Sequence, residues 1–369
     1  MSSSSAPPQL DRQAVIYMAL LALQFGLQPS LTRQFTPPQI NRSTVILVQE
    51  ILKFCFAATM LHLSTTKDQL RDLWSKWSIT EWLTVAGVPA GLYAIQNVAA
   101  LTAYQHLDAL TFNVLNQTKT LSAALCCYVV MGRPQSLLQI VALFLLLTSA
   151  LVMEGAVPLP EALGGTAIAA RILEEKDETS TSSGEDEIEW DSYRFTHGVI
   201  PILLASFISG LAGALSQKNL QTLRRNPYQF SMELCAASAF MLALKLGVSF
   251  VLGRQQQPQE EMLTTSASMW EGWTPTTLIP IVTNAAGGIV VGLVTKYAGS
   301  VRKGFALIFG ILLSALVQEF ATAAGSAKVR PEQIMGGVIA AVSLYLHATN
   351  PPSQRPTAPK KVDAEKKTK

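Results

Sequence analysis

Lys119 stands midway along the apolar run 109–131, which is long enough to cross a bilayer. An ammonium at that depth costs about 2.5–3.5 kcal/mol on insertion scales, so it needs a wet cavity, a partner charge or an anionic ligand. Mid-run depth argues against snorkelling, leaving Glu50 as a candidate partner and a bound substrate as the working expectation. Glu50 and Lys53, in an earlier apolar run, are spaced to pair across one helical turn, which would make them a helix-packing device. His62, His106, His197 and His347 are scattered near the ends of apolar runs and form no metal constellation. Cys55, Cys126, Cys127 and Cys235 have neither ligand nor redox spacing and read as small buried hydrophobes. No acidic metal motif and no His–carboxylate cluster appears, so neither catalysis nor a cofactor is expected.

The elements that must hold Lys119 belong to a membrane. Hydrophobic residues make up 49% of the 369, charged residues only 14%, and mean hydropathy is +0.29; a soluble chain of this size carries more charge. Apolar windows recur at 13–32, 43–65, 80–101, 109–131, 137–154, 197–217, 228–253, 274–296, 304–325 and 331–347. Lipid cannot satisfy backbone polar groups, so each window must be helical, and the alternation of a transmembrane barrel strand is missing. The expected fold class is all-α with ten spans. A net charge of +3 and the lack of any DNA-reading motif argue against a nucleic-acid partner.

With the N-terminus in the cytosol, 17 of the 28 lysines and arginines fall on the cytosolic side, eight on the far side and three within spans. That bias follows the positive-inside rule and puts both termini in the cytosol. The tail 1–12 lacks the basic start of a cleaved signal. The sequon at Asn41 abuts the second window and that at Asn116 lies inside the fourth, so little glycosylation is expected at either. Segment 155–196 is acidic, Ser/Thr-rich and non-periodic: a disordered lumenal linker between 13–154 and 197–347. Those halves echo each other, Leu121-Ser122-Ala123 before Arg133-Pro134 in one, Leu313-Ser314-Ala315 before Arg330-Pro331 in the other. Five spans per half is odd, so the second half must be inserted upside down. Inverted repeats of this kind place substrate near the midplane and work by alternating access. In the basic tail 348–369 the segment 360–369 follows the Pro-rich stretch 351–359 and ends with Lys366-Lys367-Thr368-Lys369, either a lipid-facing basic tail or a dilysine-type retrieval signal read by coat machinery.

Four segments carry a family resemblance: Glu50–Lys53, Val88–Asn97, Leu107–Lys119 running on to Gly132-Arg133, and Lys296–Phe305. They resemble the nucleotide-sugar transporters of the drug/metabolite transporter superfamily, in the branch carrying CMP-sialic acid, UDP-galactose and UDP-N-acetylglucosamine. The resemblance implies that Lys119 contacts the nucleotide phosphate, that Asn97 helps hold the nucleotide, and that Lys303 is a second cationic contact. The residue chemistry fits. A buried phosphate needs buried cations, and lysine supplies movable point charges. Gln96 and Asn97 can address a pyrimidine edge or ribose hydroxyl, and Tyr93, one turn before Asn97, can stack on the base. Asn113, Asn116 and Lys296 complete the candidate set. Against these roles stand blander ones: Lys303 as ordinary cytosolic charge beside Lys296 and Arg302, Asn97 as a helix–helix bond, and Gly287, Gly288 and Gly292 as points of close helix approach.

The chain departs from the family pattern at Phe112, where tyrosine is common, at Leu215 and Gln217, and at Gly299-Ser300. These departures are expected to tune the sugar. The implied activity is antiport of a cytosolic nucleotide sugar against a lumenal nucleoside monophosphate across a Golgi or endoplasmic reticulum membrane. Dimers through the glycine-bearing spans are compatible with it. Two alternatives remain: a relative carrying another metabolite, and a membrane scaffold or enzyme that moves nothing.

Overall fold

The computed structural model describes residues 12–37, 39–155, 193–252, 270, 272–321 and 330–351. The N-terminal tail, nearly all of the acidic segment 155–196, and the basic tail with Lys366 and Lys367 lie outside the described residues.

Among the described residues every regular element is helical. In chain order these are α1 (Arg12–Phe35), α2 (Arg42–Ser64), α3 (Lys67–Ser75), α4 (Ile79–His106), α5 (Ala109–Asn116) and α6 (Lys119–Met131). They continue with α7 (Leu137–Glu154), α8 (Phe195–Thr222), α9 (Pro227–Leu252), α10 (Leu278–Tyr297), α11 (Ser300–Ala321) and α12 (Pro331–Thr349). Among the described residues seven helices are long and apolar enough to cross a bilayer: α1, α2, α4, α7, α8, α10 with the 3₁₀ turn before it, and α11. Large apolar side chains such as Val98, Leu125, Val129, Phe144, Phe207, Phe240 and Val342 point outward. A surface this apolar suits lipid rather than water.

The expectation of a single helix across 109–131 is corrected. The α-helical hydrogen-bond ladder is interrupted at Gln117-Thr118, between α5 and α6, although both residues keep right-handed dihedrals. The Thr118 hydroxyl donates to the Leu115 carbonyl at 2.6 Å, and the Thr118 and Thr120 N–H groups bond three residues back rather than four. A run of Asn116, Gln117 and Thr118 offers the backbone side-chain partners that compete with the helix. The ninth window also shifts: α11 starts at Ser300, so Arg302 and Lys303 lie inside a helix. In the 67–79 connection, α3 is a helix the apolar windows did not predict, fixed by a Thr66–Gln69 capping box. Cys126, Cys127 and Cys235 are buried as expected, whereas Cys55 is exposed, its thiol apolar enough to face lipid.

Two helices carry π turns just before a proline, 83–87 ahead of Pro89 in α4 and 195–199 ahead of Pro201 in α8. Proline has no N–H and clashes with the carbonyl four residues back. For Pro89 that carbonyl is Val85, and it accepts instead from the Asn219 amide at 2.9 Å.

Packing follows a repeated scheme. α1 lies along α11 and α10, while α8 lies along α6 and α4; α2 meets α9 and α7 meets α12; α2 also touches α10 as α4 touches α9. The largest core cluster, with Leu21, Leu143, Val294, Phe305 and Ala340, sits where α1, α7, α10, α11 and α12 converge with α6. Close approach is set by glycine. A Cβ on Gly210 of α8 would lie 2.6 Å from the Ser122 backbone, and one on Gly310 of α11 would lie 2.6 Å from the Phe25 Cβ of α1.

Candidate functional site

Lys119 is the first residue of α6, immediately after the break, and Lys303 is in the first turn of α11. Both are half-buried. A Cβ on Gly304 would sit 2.8 Å from the Thr120 hydroxyl, so α11 approaches α6 one residue beyond each lysine. The two ammoniums repel each other electrostatically. Among the described residues neither lysine forms an ion pair or a side-chain hydrogen bond. Two uncompensated cations inside an apolar bundle are costly unless an anion joins them. A group with several acceptor oxygens, such as a phosphate, could satisfy both at once.

The remaining candidates divide. Tyr93 and Asn97 lie one turn apart on α4, with Gln96 beside them; Asn97 is exposed, the other two half-buried, and none of the three side chains forms a hydrogen bond among the described residues. α4 and α6 both pack on α8, so the structure brings Lys119 and Lys303 together and carries the α4 group on the adjoining helix. Asn116 is half-buried with its amide unengaged. The Asn113 amide donates to Glu154 of α7 at 3.3 Å. Lys296 rests its ammonium 5.4 Å from the Tyr297 ring centroid and makes no ion pair. Glu50 pairs with Lys53 at 2.6 Å, and a Cβ on Gly288 would strike the Lys53 chain at 2.6 Å. Glu50 is thus not the partner of Lys119. Phe112 packs edge-on against Tyr104 at 5.2 Å in an apolar cluster between α4 and α8.

Other polar features were not singled out from the sequence. Gln24 and Gln28 of α1, Gln49 of α2 and Asn284 of α10 form an amide ladder, with Asn284 donating to Gln49 at 2.8 Å and Gln28 to the Pro280 carbonyl at 2.9 Å. Arg225, between α8 and α9, holds buried Glu233 through two nitrogens, at 2.8 and 2.5 Å, and reaches Glu81 of α4 with a third. Burial alone would lower the Arg225 guanidinium, but Glu233 and Glu81 outweigh it and hold it above its ordinary value. Glu233 lies within a predicted span, so the signal that exposed Lys119 was present there too.

The family model for nucleotide-sugar transporters matches residues 10–347. The Arabidopsis thaliana UDP-N-acetylglucosamine transporter ROCK1 is 31% identical over 317 residues, covering 86% of this chain and 87% of that protein. The Caenorhabditis elegans UDP-N-acetylglucosamine/UDP-N-acetylgalactosamine transporter nstp-4 is 26% identical across 95% of this chain and 96% of its own. The human UDP-N-acetylglucosamine transporter is 26% identical over 83% of this chain and 85% of its own. A crystal structure only 12% identical shares the fold, with a TM-score of 0.57 over 90% of this chain and 96% of its own. The chain therefore belongs to the nucleotide-sugar transporter family and is a multi-pass membrane carrier, not an enzyme.

Proposed function

We propose that this carrier is an antiporter that exchanges a cytosolic pyrimidine nucleotide sugar, of the UDP-N-acetylglucosamine type, for a lumenal nucleoside monophosphate. The observation that carries this is the pair Lys119 and Lys303, which repel each other and form no ion pair among the described residues. Diphosphate on the inward journey and monophosphate on the return both supply the missing anion, so the loaded carrier reorients more readily than the empty one. Asn97 and Gln96 address the pyrimidine and ribose, Tyr93 stacks on the base, and Asn113, Asn116 and Lys296 border the same space. The named relatives point to the N-acetylhexosamine.

Alternating access in this reading runs on ten spans: the seven apolar helices together with α5–α6, α9 and α12. The repeats are 13–154 and 197–347. Their pairings support a two-fold repeat, because exchanging the halves maps α1 on α11 onto α8 on α6, and α1 on α10 onto α8 on α4, while α2–α9 and α7–α12 map onto themselves; five spans per half then make the repeat an inverted one. Tails 1–12 and 348–369 lie in the cytosol, linker 155–196 in the lumen, and Lys366 and Lys367 serve coat-mediated retrieval within Golgi and endoplasmic reticulum membranes.

The test is reconstitution into liposomes preloaded with UMP or CMP, with uptake of a panel of radiolabelled UDP- and CMP-sugars and Lys119→Ala as control. UMP-stimulated uptake of UDP-N-acetylglucosamine, lost in the variant, is expected. Equal uptake by folded Lys119→Ala, or none of any sugar by the parent, would overturn the proposal.

A further inference from the structure

The connection between α10 and α11 is only Ala298-Gly299, and it is enclosed: Thr295 and Ser300 are each 4% exposed. Such a turn strands the last carbonyls of α10 and the first N–H groups of α11 without water. Two glutamines of α8, one turn apart, supply what is missing. Gln217 Oε1 accepts the Ser300 N–H at 2.8 Å. Gln221 Nε2 donates to the Thr295 and Lys296 carbonyls at 3.1 and 2.9 Å. Gln217 Nε2 donates to Gln221 Oε1 at 3.0 Å, which locks both amide orientations. Gly299 has φ +90°, and a Cβ there would lie 3.0 Å from the Gln217 amide nitrogen, so glycine lets the side chain close on the turn.

The same pair reaches the helix that carries Lys119. Arg133, just past the end of α6, donates to Gln221 Oε1 at 2.7 Å, and the Cys127 thiol meets Gln217 Oε1 at 3.3 Å. One pair of side chains thus fixes where α11 begins, one turn before Lys303, and braces the far end of α6. Two of the family departures, Gln217 and Ser300, are thus bonded to each other.

We infer that Gln217 and Gln221 are positioning residues, a bracket that sets Lys303 against Lys119 and so determines the affinity of the anion site. The inference deepens the transport reading and rests on it, but its geometric core does not need a ligand. In nanodiscs holding the full chain, the thiol introduced by Lys303→Cys is titrated with a small methanethiosulfonate reagent, with and without Gln217→Met, after subtracting native thiol reactivity. A change of about tenfold in rate is expected from loss of these buried bonds; an unchanged rate overturns the bracket.

UMP binding gives the second arm. Gln217→Met weakens it about tenfold, and in a Lys303→Ala background Gln217→Met adds nothing. A fully additive loss in that background would mark a merely structural role and overturn the inference. Should Gln217→Met not fold, Gln221→Ala is expected to act in the same direction and is judged by the same criteria. A parent protein that binds no UMP defeats the transport reading, while the thiol titration still decides the bracket.

Discussion

α6 and α11 each present one of the two facing lysines, and they do so by different devices. α6 starts at Lys119 because the chain breaks at Gln117-Thr118, and the broken turn satisfies itself locally, with the Thr118 hydroxyl on the Leu115 carbonyl. α11 brings Lys303 into the bundle because a two-residue turn is held from outside by α8. One charge is placed by its own segment and the other by a neighbour. The difference predicts that the first site tolerates changes elsewhere in the bundle, whereas the second inherits any displacement of α8.

The largest effect should follow removal of the self-placed charge. Lys119→Met abolishes exchange in the liposome assay, yet it also removes a half-buried charge that has no partner among the described residues. Replacing buried ionic groups with apolar ones often stabilises by about 1–4 kcal/mol, so the empty variant should melt higher than the parent in a thermal-shift measurement. Lys303→Met should follow the same pattern with a smaller loss of exchange, because Lys303 lies in the first turn of its helix rather than at the middle of a span. A variant that lost exchange and also melted lower would show that Lys119 has a protein partner, and the anion site would fall with that result.

The apolar windows foretold an all-helical chain, and among the described residues seven helices are long and apolar enough to cross a bilayer, because lipid demands about 20 apolar residues per crossing whatever the side chains do in detail. The break before Lys119 escaped that reasoning, since window hydropathy cannot see a turn in which backbone bonds shift from four residues to three. Asn116, Gln117 and Thr118 were the available sign. The early start of α11 was hidden for another reason: Arg302 and Lys303 look like the end of a span until Gln217, 83 positions earlier, is known to bond Ser300. Lys119 was legible because an isolated charge is costly in lipid. Its relation to Lys303, and the amide ladder of Gln24, Gln28, Gln49 and Asn284, needed three-dimensional contacts that no spacing encodes.

The two helices also differ in how they are approached, and single methyl groups can probe that. A Cβ on Gly210 meets backbone atoms of Ser122 and Ala123 at 2.6 and 2.7 Å, whereas the three atoms nearest one on Gly26 of α1 all belong to the Leu313 side chain of α11, at 2.9, 2.9 and 3.0 Å. Backbone cannot turn aside, but a leucine can change rotamer. Gly210→Ala should therefore cost stability at the upper end of the overpacking range of about 1–3 kcal/mol, and Gly26→Ala clearly less. Gly213→Ala, whose Cβ would find Ser300 at ordinary contact distances of 3.4 and 3.5 Å, serves as the near-neutral control. Equal melting of the Gly210 and Gly26 variants would mean that α8 and α1 grip their partners alike, and the contrast between the halves would vanish.

The smallest effect concerns the other end of the broken span, where α5 begins. Asp108 caps it, its carboxylate accepting the Thr111 N–H at 2.9 Å, and Arg194 at the start of α8 pairs with it at 3.2 Å. Burial pushes the Asp108 carboxyl up, but the Thr111 bonds and Arg194 overcome this and hold it below the ordinary 3.8. A depressed carboxylate contributes stability that is fully present above its unfolded value and is lost as pH falls through the lower folded one. Its side chain is 52% exposed, so solvent screens the Arg194 pair and the cap dominates. Asp108→Asn keeps a capping oxygen and should leave melting near neutral pH almost unchanged, while flattening the loss of stability below about pH 3.8. Asp108→Ala removes the cap and should cost about 1 kcal/mol at neutral pH. Because the broken turn satisfies itself, neither change should alter UMP affinity. An affinity that fell with Asp108→Ala would show that Lys119, like Lys303, is placed from a distance.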